Sequence, residues 1–153
     1  MKDTEVEILL VEDNINDAEL AIRALLKNNI TSYITHVKDG AVALDFLFGK
    51  GQYEGRNLNN RPKVILLDLK MPKVSGIEVL EQIKSNELTK KIPVVILTSS
   101  NEYTDVEKSY LLGANSYIVK PVDFESFRKT VKDMGIYWLM LNQPLEKNIS
   151  PVT

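Results

Sequence analysis

Five short apolar runs, each followed by a helical pattern, constrain this chain more than any other feature. In Glu7–Val11 the residues Ile8, Leu9, Leu10 and Val11 are continuous rather than alternating, as in a strand buried on both faces. Tyr33–Val37, Val64–Leu67, Val94–Leu97 and Ser116–Val119 repeat the signal. Between them Ile15, Ala18, Ile22, Leu25 and Leu26 recur at helical spacing up to Asn28-Asn29. Ala41, Leu44, Phe46, Leu47 and Phe48 make a second helix closed by Gly49, and Ile77, Leu80 and Ile83 mark a third over about 76–85. Val106, Tyr110 and Leu111 carry a fourth to Gly113. Phe124, Phe127, Val131, Met134, Trp138 and Leu141 carry a fifth, with Asp123 as N-cap. Strand and helix alternating in this way predict a (βα)5 unit, a doubly wound α/β fold on a parallel five-stranded sheet. One domain is expected over 5–141, with an irregular tail over 142–153. The polar stretch from Gly49 to Pro62 is expected to be an exposed, mobile connection.

Composition narrows the function. At 153 residues and 44% hydrophobic content the chain can bury one sizeable core. A formal charge of -2 without a basic stripe leaves no electrostatic footprint for DNA. The absence of cysteine excludes disulfides, thiolate zinc sites and thiol catalysis. The charged N-terminus is not a signal peptide, and no apolar run is long enough to span a membrane, so a cytoplasmic location is expected. His36 lies within a strand, a poor place for an exposed phosphodonor, and has no partners for zinc.

The polar residues that close the strands carry the chemistry. Glu12-Asp13 follow the first strand, Asp68 the third, Thr98 the fourth and Lys120 the fifth. In a doubly wound sheet these ends meet along one edge, near the switch point where ligands bind. Carboxylates gathered there repel one another unless a cation compensates, and Mg²⁺ takes oxygen ligands of this kind. An aspartate beside the ion can act as a nucleophile toward phosphorus. Thr98 and Lys120 supply donors for phosphoryl oxygens. Each residue alone has a blander reading as a turn, a helix-terminal charge, a β-former or a snorkelling lysine. The joint placement after four strands is what points to phosphoryl chemistry.

The segments Leu9–Asn14 (LLVEDN), Leu67–Pro72 (LDLKMP), Gly76, Leu97–Ser100 (LTSS) and Val119–Pro121 (VKP) resemble the response-regulator receiver domain over about residues 5–141. The resemblance implies the flavodoxin-like receiver fold and a phosphoryl group accepted by Asp68 from a sensor histidine kinase. It implies Mg²⁺, with Mn²⁺ as a substitute, held by Asp13, Asp68 and the Lys70 backbone carbonyl, with Glu12 acting through water. Thr98 and Lys120 would bind phosphoryl oxygens, Lys120-Pro121 would be a cis peptide, and Tyr117 would be the switch aromatic that turns inward. Lys70 and Ser100 fall where the phosphoryl lifetime is tuned. Val11–Asn14, Gly51-Gln52-Tyr53, Gly113–Tyr117 and Ile136–Leu139 are similar to stand-alone regulators of phytochrome-type kinases.

A stand-alone regulator must signal through another protein or through dimerisation. The family docks its kinase near Ile15 and Ala18. The crowded end of the fifth helix, Trp138 to Leu141, is expected to give a homodimer or partner face beyond its core-facing half. Competing readings are a scaffold-only receiver, a Mg²⁺-dependent aspartyl-phosphate phosphatase and a flavodoxin-like cofactor carrier. The phosphatase would need an acid where Lys70 stands, and the carrier would need a Gly-rich loop after the first strand.

Overall fold

The computed structural model describes residues 5–31 and 33–145. Within them the chain runs β1 (Ile8–Val11), α1 (Ile15–Lys27), β2 (Ile34–Val37), α2 (Gly40–Phe48), β3 (Val64–Leu67), α3 (Gly76–Ser85), β4 (Val94–Thr98), α4 (Tyr103–Leu111), β5 (Ser116–Val119) and α5 (Phe124–Ile136). The sheet is parallel throughout, in the order β2-β1-β3-β4-β5. The expected tail lies outside the described residues from 146 onward.

The continuous apolar runs have the burial that they predicted. Every residue of β1, β3 and β4 is buried, whereas the edge strands β2 and β5 are mostly half-buried. One face packs Leu9, Ile65, Leu67 and Ile96 against α2 and α3, with Phe46, Val79, Leu80 and Ile83 among the buried side chains. The other packs Ile8, Leu10, Leu66 and Val95 against α1 and α5 through Ala21, Leu25, Phe127, Val131 and Met134. Gly135 lets α5 come close to α1, since a Cβ there would fall 2.6 Å from the Leu25 Cδ2 atom. Most helix N-termini are capped: the side chains of Asn14, Asp39, Ser75 and Asp123 each accept from the backbone N–H three residues on.

Three regions differ from the sequence expectation. The 49–62 connection keeps the exposure expected of it at many positions but is tied down, with a 3-10 turn at Gly51–Tyr53. The Arg56 guanidinium lies 4.0 Å over the Phe46 ring, its Nε donates to the Phe46 carbonyl at 2.7 Å, and Nη1 donates to the Asn60 carbonyl at 2.8 Å. One planar cation thus satisfies carbonyls that a structureless loop would leave to water. In α4 only Ser109 is buried, while Tyr110 and Leu111 are 49% and 81% exposed. The helix therefore presents much of its apolar surface outward. The fifth helix changes pitch, and Tyr137–Leu141 form a π-helical turn in which the Asn142 N–H donates to the Tyr137 carbonyl at 2.7 Å. The change of pitch breaks the three-four spacing. Trp138 and Leu139 still pack on the core, while Tyr137, Met140 and Leu141 are exposed.

Candidate functional site

The backbone brings the strand-end residues together. The Asp68 N–H donates to the Val11 carbonyl at 3.1 Å and the Glu12 N–H to the Val37 carbonyl at 3.1 Å, so the ladder continues one residue past the strands. The Lys120 N–H likewise donates to the Thr98 carbonyl at 2.7 Å. Gly76 opens α3 directly against this edge, where a Cβ would lie 2.2 Å from the Asp68 carbonyl oxygen. No other residue permits that approach without moving the acceptor loop. The half-buried His36 has a structural role, its Nε2 2.8 Å from the Glu12 carbonyl oxygen.

Glu12, Asp13 and Asp68 each offer a carboxylate oxygen within 4.8 Å of the others. Glu12 and Asp68 are buried, and Asp13 is exposed. Burial, aided by the neighbouring Asp68, pushes the Glu12 carboxyl up to about 7 against the pull of Lys120. One ammonium is shared by Glu12, Asp68 and a fourth carboxylate, Asp17. Lys120 Nζ lies 2.8 Å from Glu12 Oε1, 2.8 Å from Asp17 Oδ2 and 3.3 Å from Asp68 Oδ2. Burial works against its charge, yet Asp17, Glu12 and Asp68 together hold its pKa well above the ordinary lysine value. Hard oxygen donors in excess of the local positive charge suit a divalent cation such as Mg²⁺ or Mn²⁺. Glu12, Asp13 and Asp68 are the side chains that could hold it.

Thr98 completes the edge. It is fully buried, and its Oγ1 is the one buried side-chain polar atom without a hydrogen-bond partner among the described residues. A buried hydroxyl without a partner is costly and calls for an explanation. Tyr117 is half-buried against the α2–α3 face core, and its hydroxyl donates to the Ser100 carbonyl at 2.9 Å. The Lys70 N–H donates to Asp68 Oδ1 at 3.2 Å.

One expectation is corrected: no peptide bond among the described residues is cis, so Lys120-Pro121 is trans. Trans is the lower-energy isomer of most X–Pro bonds, and here Lys120 reaches Glu12, Asp17 and Asp68 without the alternative. Two participants escaped the sequence reading. Asp17, an acid in the first turn of α1, was not singled out, yet it pairs with Lys120 beside the cluster. Asp105, in the first turn of α4, bonds Ser100 and Lys70, and no sequence signal marked that contact.

The model for the response regulator receiver domain matches residues 8–132. The chain belongs to the response-regulator receiver family. The probable methanogenesis regulatory protein FilR2 of Methanothrix harundinacea is 44% identical over 89% of this chain and 85% of that protein. Response regulator Rcp1 of Synechocystis is 41% identical over 86% of this chain and 88% of its own length. The Mn²⁺-bound crystal structure of Rcp1 superposes with a TM-score of 0.85 at 39% identity, over 93% of this chain and 99% of that one. The phosphorylated cyanobacterial phytochrome response regulator RcpA gives a TM-score of 0.83 at 36% identity, over 92% and 99% of the two chains. This receiver is therefore similar over nearly all of its length to a phytochrome response regulator.

Proposed function

We propose that this receiver takes a phosphoryl group on Asp68 from the phosphohistidine of a sensor kinase. The orphan Thr98 hydroxyl beside an under-neutralised carboxylate cluster carries the reading. An Asp68 oxygen attacks phosphorus, the P–N bond breaks, and the imidazole leaves with the electron pair and takes a proton. Asp13, Asp68, the Lys70 backbone carbonyl and Glu12 would hold Mg²⁺, which would supply neutralising charge there. Thr98 Oγ1 donates to one phosphoryl oxygen, and the Lys120 ammonium moves from its carboxylate partners to another. Both motions pull on the β4–α4 loop, whose Ser100 carbonyl holds Tyr117, and so reach the α4-β5-α5 face.

The kinase is of the phytochrome type, by likeness to RcpA, and docks near Ile15, which is 59% exposed, whereas Ala18, expected beside it, is buried. The receiver works in the cytoplasm as a phosphoacceptor rather than as an enzyme acting on free substrates. Among the described residues no helix is long and apolar enough to cross a membrane. The exposed Tyr137, Met140 and Leu141 favour a homodimer contact at the end of α5. The test is incubation with acetyl phosphate, with and without Mg²⁺, read by intact mass and size exclusion. The expected result is a single Mg²⁺-dependent adduct, absent in Asp68→Asn. No adduct on folded wild type leaves the scaffold reading, and steady turnover of phosphate esters revives the phosphatase.

A further inference from the structure

Asp105 reaches out of its helix to two loops at once. A first-turn helix acid needs no special explanation by itself. Here, however, Asp105 Oδ2 accepts from the Ser100 hydroxyl at 2.5 Å and lies 3.3 Å from Lys70 Nζ. Ser100 and Lys70 are the residues two positions beyond Thr98 and Asp68. Lys70 is tied by its own N–H to Asp68 Oδ1, and the Ser100 carbonyl is tied to the Tyr117 hydroxyl. A continuous set of contacts thus runs from the acceptor carboxylate through Lys70, Asp105 and Ser100 to Tyr117.

We infer that Asp105 is a positioning residue that latches the Lys70 ammonium away from Asp68 and thereby sets how fast the acyl phosphate is hydrolysed. The inference rests on Asp68 being the phosphoacceptor. In hydrolysis a water oxygen attacks phosphorus and the P–O bond to Asp68 breaks. The electron pair returns to the carboxylate, and the water proton leaves with inorganic phosphate. With the latch closed, the Lys70 charge is engaged at α4 and the approach to phosphorus stays open to water. With the latch open, the backbone anchor keeps Lys70 beside Asp68, and its long stem lets the ammonium pair with phosphoryl oxygens and obstruct the water. The Lys70 side chain is 59% exposed, so the ion pair is worth little for folding. A rate needs little: about threefold corresponds to about 0.7 kcal/mol, within reach of such a pair.

The test phosphorylates wild type, Asp105→Asn, Lys70→Ala and the double variant with acetyl phosphate and Mg²⁺, removes the donor, and follows the adduct by intact mass. Asp105→Asn is expected to lengthen the half-life about threefold or more, a change in rate of about 0.7 kcal/mol, while leaving the Lys70→Ala half-life unchanged. A merely structural Asp105 would alter both backgrounds alike. In the unphosphorylated, metal-free protein Lys70→Ala should also move the Ser100 and Glu102 amide resonances. An unchanged or shortened half-life in Asp105→Asn, equal changes in both backgrounds, or unmoved amides would overturn the latch. A wild type that takes no adduct, or one that survives Asp68→Asn, overturns the reading of Asp68 instead and removes the inference with it.

Discussion

The two ends of the sheet handle polar side chains in opposite ways. At the end where the strands begin, the buried or half-buried polar groups named here are matched. Glu7 accepts from the Thr31 hydroxyl at 2.6 Å and pairs with Lys63 at 2.9 Å. Lys84 donates to the Ile92 carbonyl at 2.7 Å and the Lys90 carbonyl at 3.1 Å, and Thr89 Oγ1 donates to the Ile83 carbonyl at 2.7 Å. At the end where the strands finish, Glu12, Asp17 and Asp68 share the single ammonium of Lys120, and the Thr98 hydroxyl has no partner. One edge is finished by folding. The other keeps more carboxylates than ammonium groups to pair them and a buried hydroxyl without a partner, and it is this edge that the proposed function would complete.

The largest expected effect comes from removing the shared ammonium. Lys120→Ala leaves the carboxylates uncompensated and should cost about 3 kcal/mol in metal-free protein, by denaturant unfolding. Because Glu12 can take up a proton to relieve the repulsion, the loss should be larger at pH 8 than at pH 6. The same variant should keep some phosphorylation but lose most of the conformational response. At the matched edge Lys84→Met deprives carbonyls of their donor and should cost about 2 kcal/mol. Here metal should make no difference.

The sign should reverse at Thr98. Thr98→Val removes a buried hydroxyl that has no partner, and should stabilise the unphosphorylated, metal-free protein by about 1 kcal/mol while weakening the response to phosphorylation. A destabilised Thr98→Val would mean that the hydroxyl is already satisfied at rest.

The smallest effect concerns Glu7. Burial tends to raise its pKa, but the Thr31 hydroxyl and Lys63 outweigh this and hold it below the ordinary glutamate value of 4.5. Its folded pKa is depressed, so its contribution is present above about 4.5 and lost as pH falls through the lower folded value. Lys63→Met should therefore lower stability slightly near neutrality and flatten the acid side of the profile, the two proteins converging at low pH, as followed by denaturant unfolding across pH.

This contrast also explains what the sequence made legible. Continuous apolar runs identified buried parallel strands because a strand covered on both faces has no polar side to alternate. Strand-end positions identified Glu12, Asp13, Asp68, Thr98 and Lys120 because parallel strands deliver their ends to one edge. Period and position carry no information on side-chain reach, and that is where the reading stopped. Arg56 folds the 49–62 loop by lying across a ring ten residues earlier. Asp17 and Asp105 look like helix-start acids until their tertiary partners are seen. Tyr110 and Leu111 kept the helical spacing in α4 yet face outward, because spacing fixes a stripe and not what it meets. The π turn at Tyr137–Leu141 likewise left no mark in the apolar repeat.

The most direct measurement is the thermal midpoint of metal-free protein titrated with Mg²⁺, in wild type and Asp13→Asn. Mg²⁺ bound at the unfinished edge should raise the wild-type midpoint, with stabilisation reaching about 2.7 kcal/mol at a hundred times the dissociation constant. Asp13→Asn should lose most of that rise. A wild-type midpoint indifferent to millimolar Mg²⁺, or a rise that Asp13→Asn fully retains, would contradict the claim that this edge of the sheet is built to be completed by a cation.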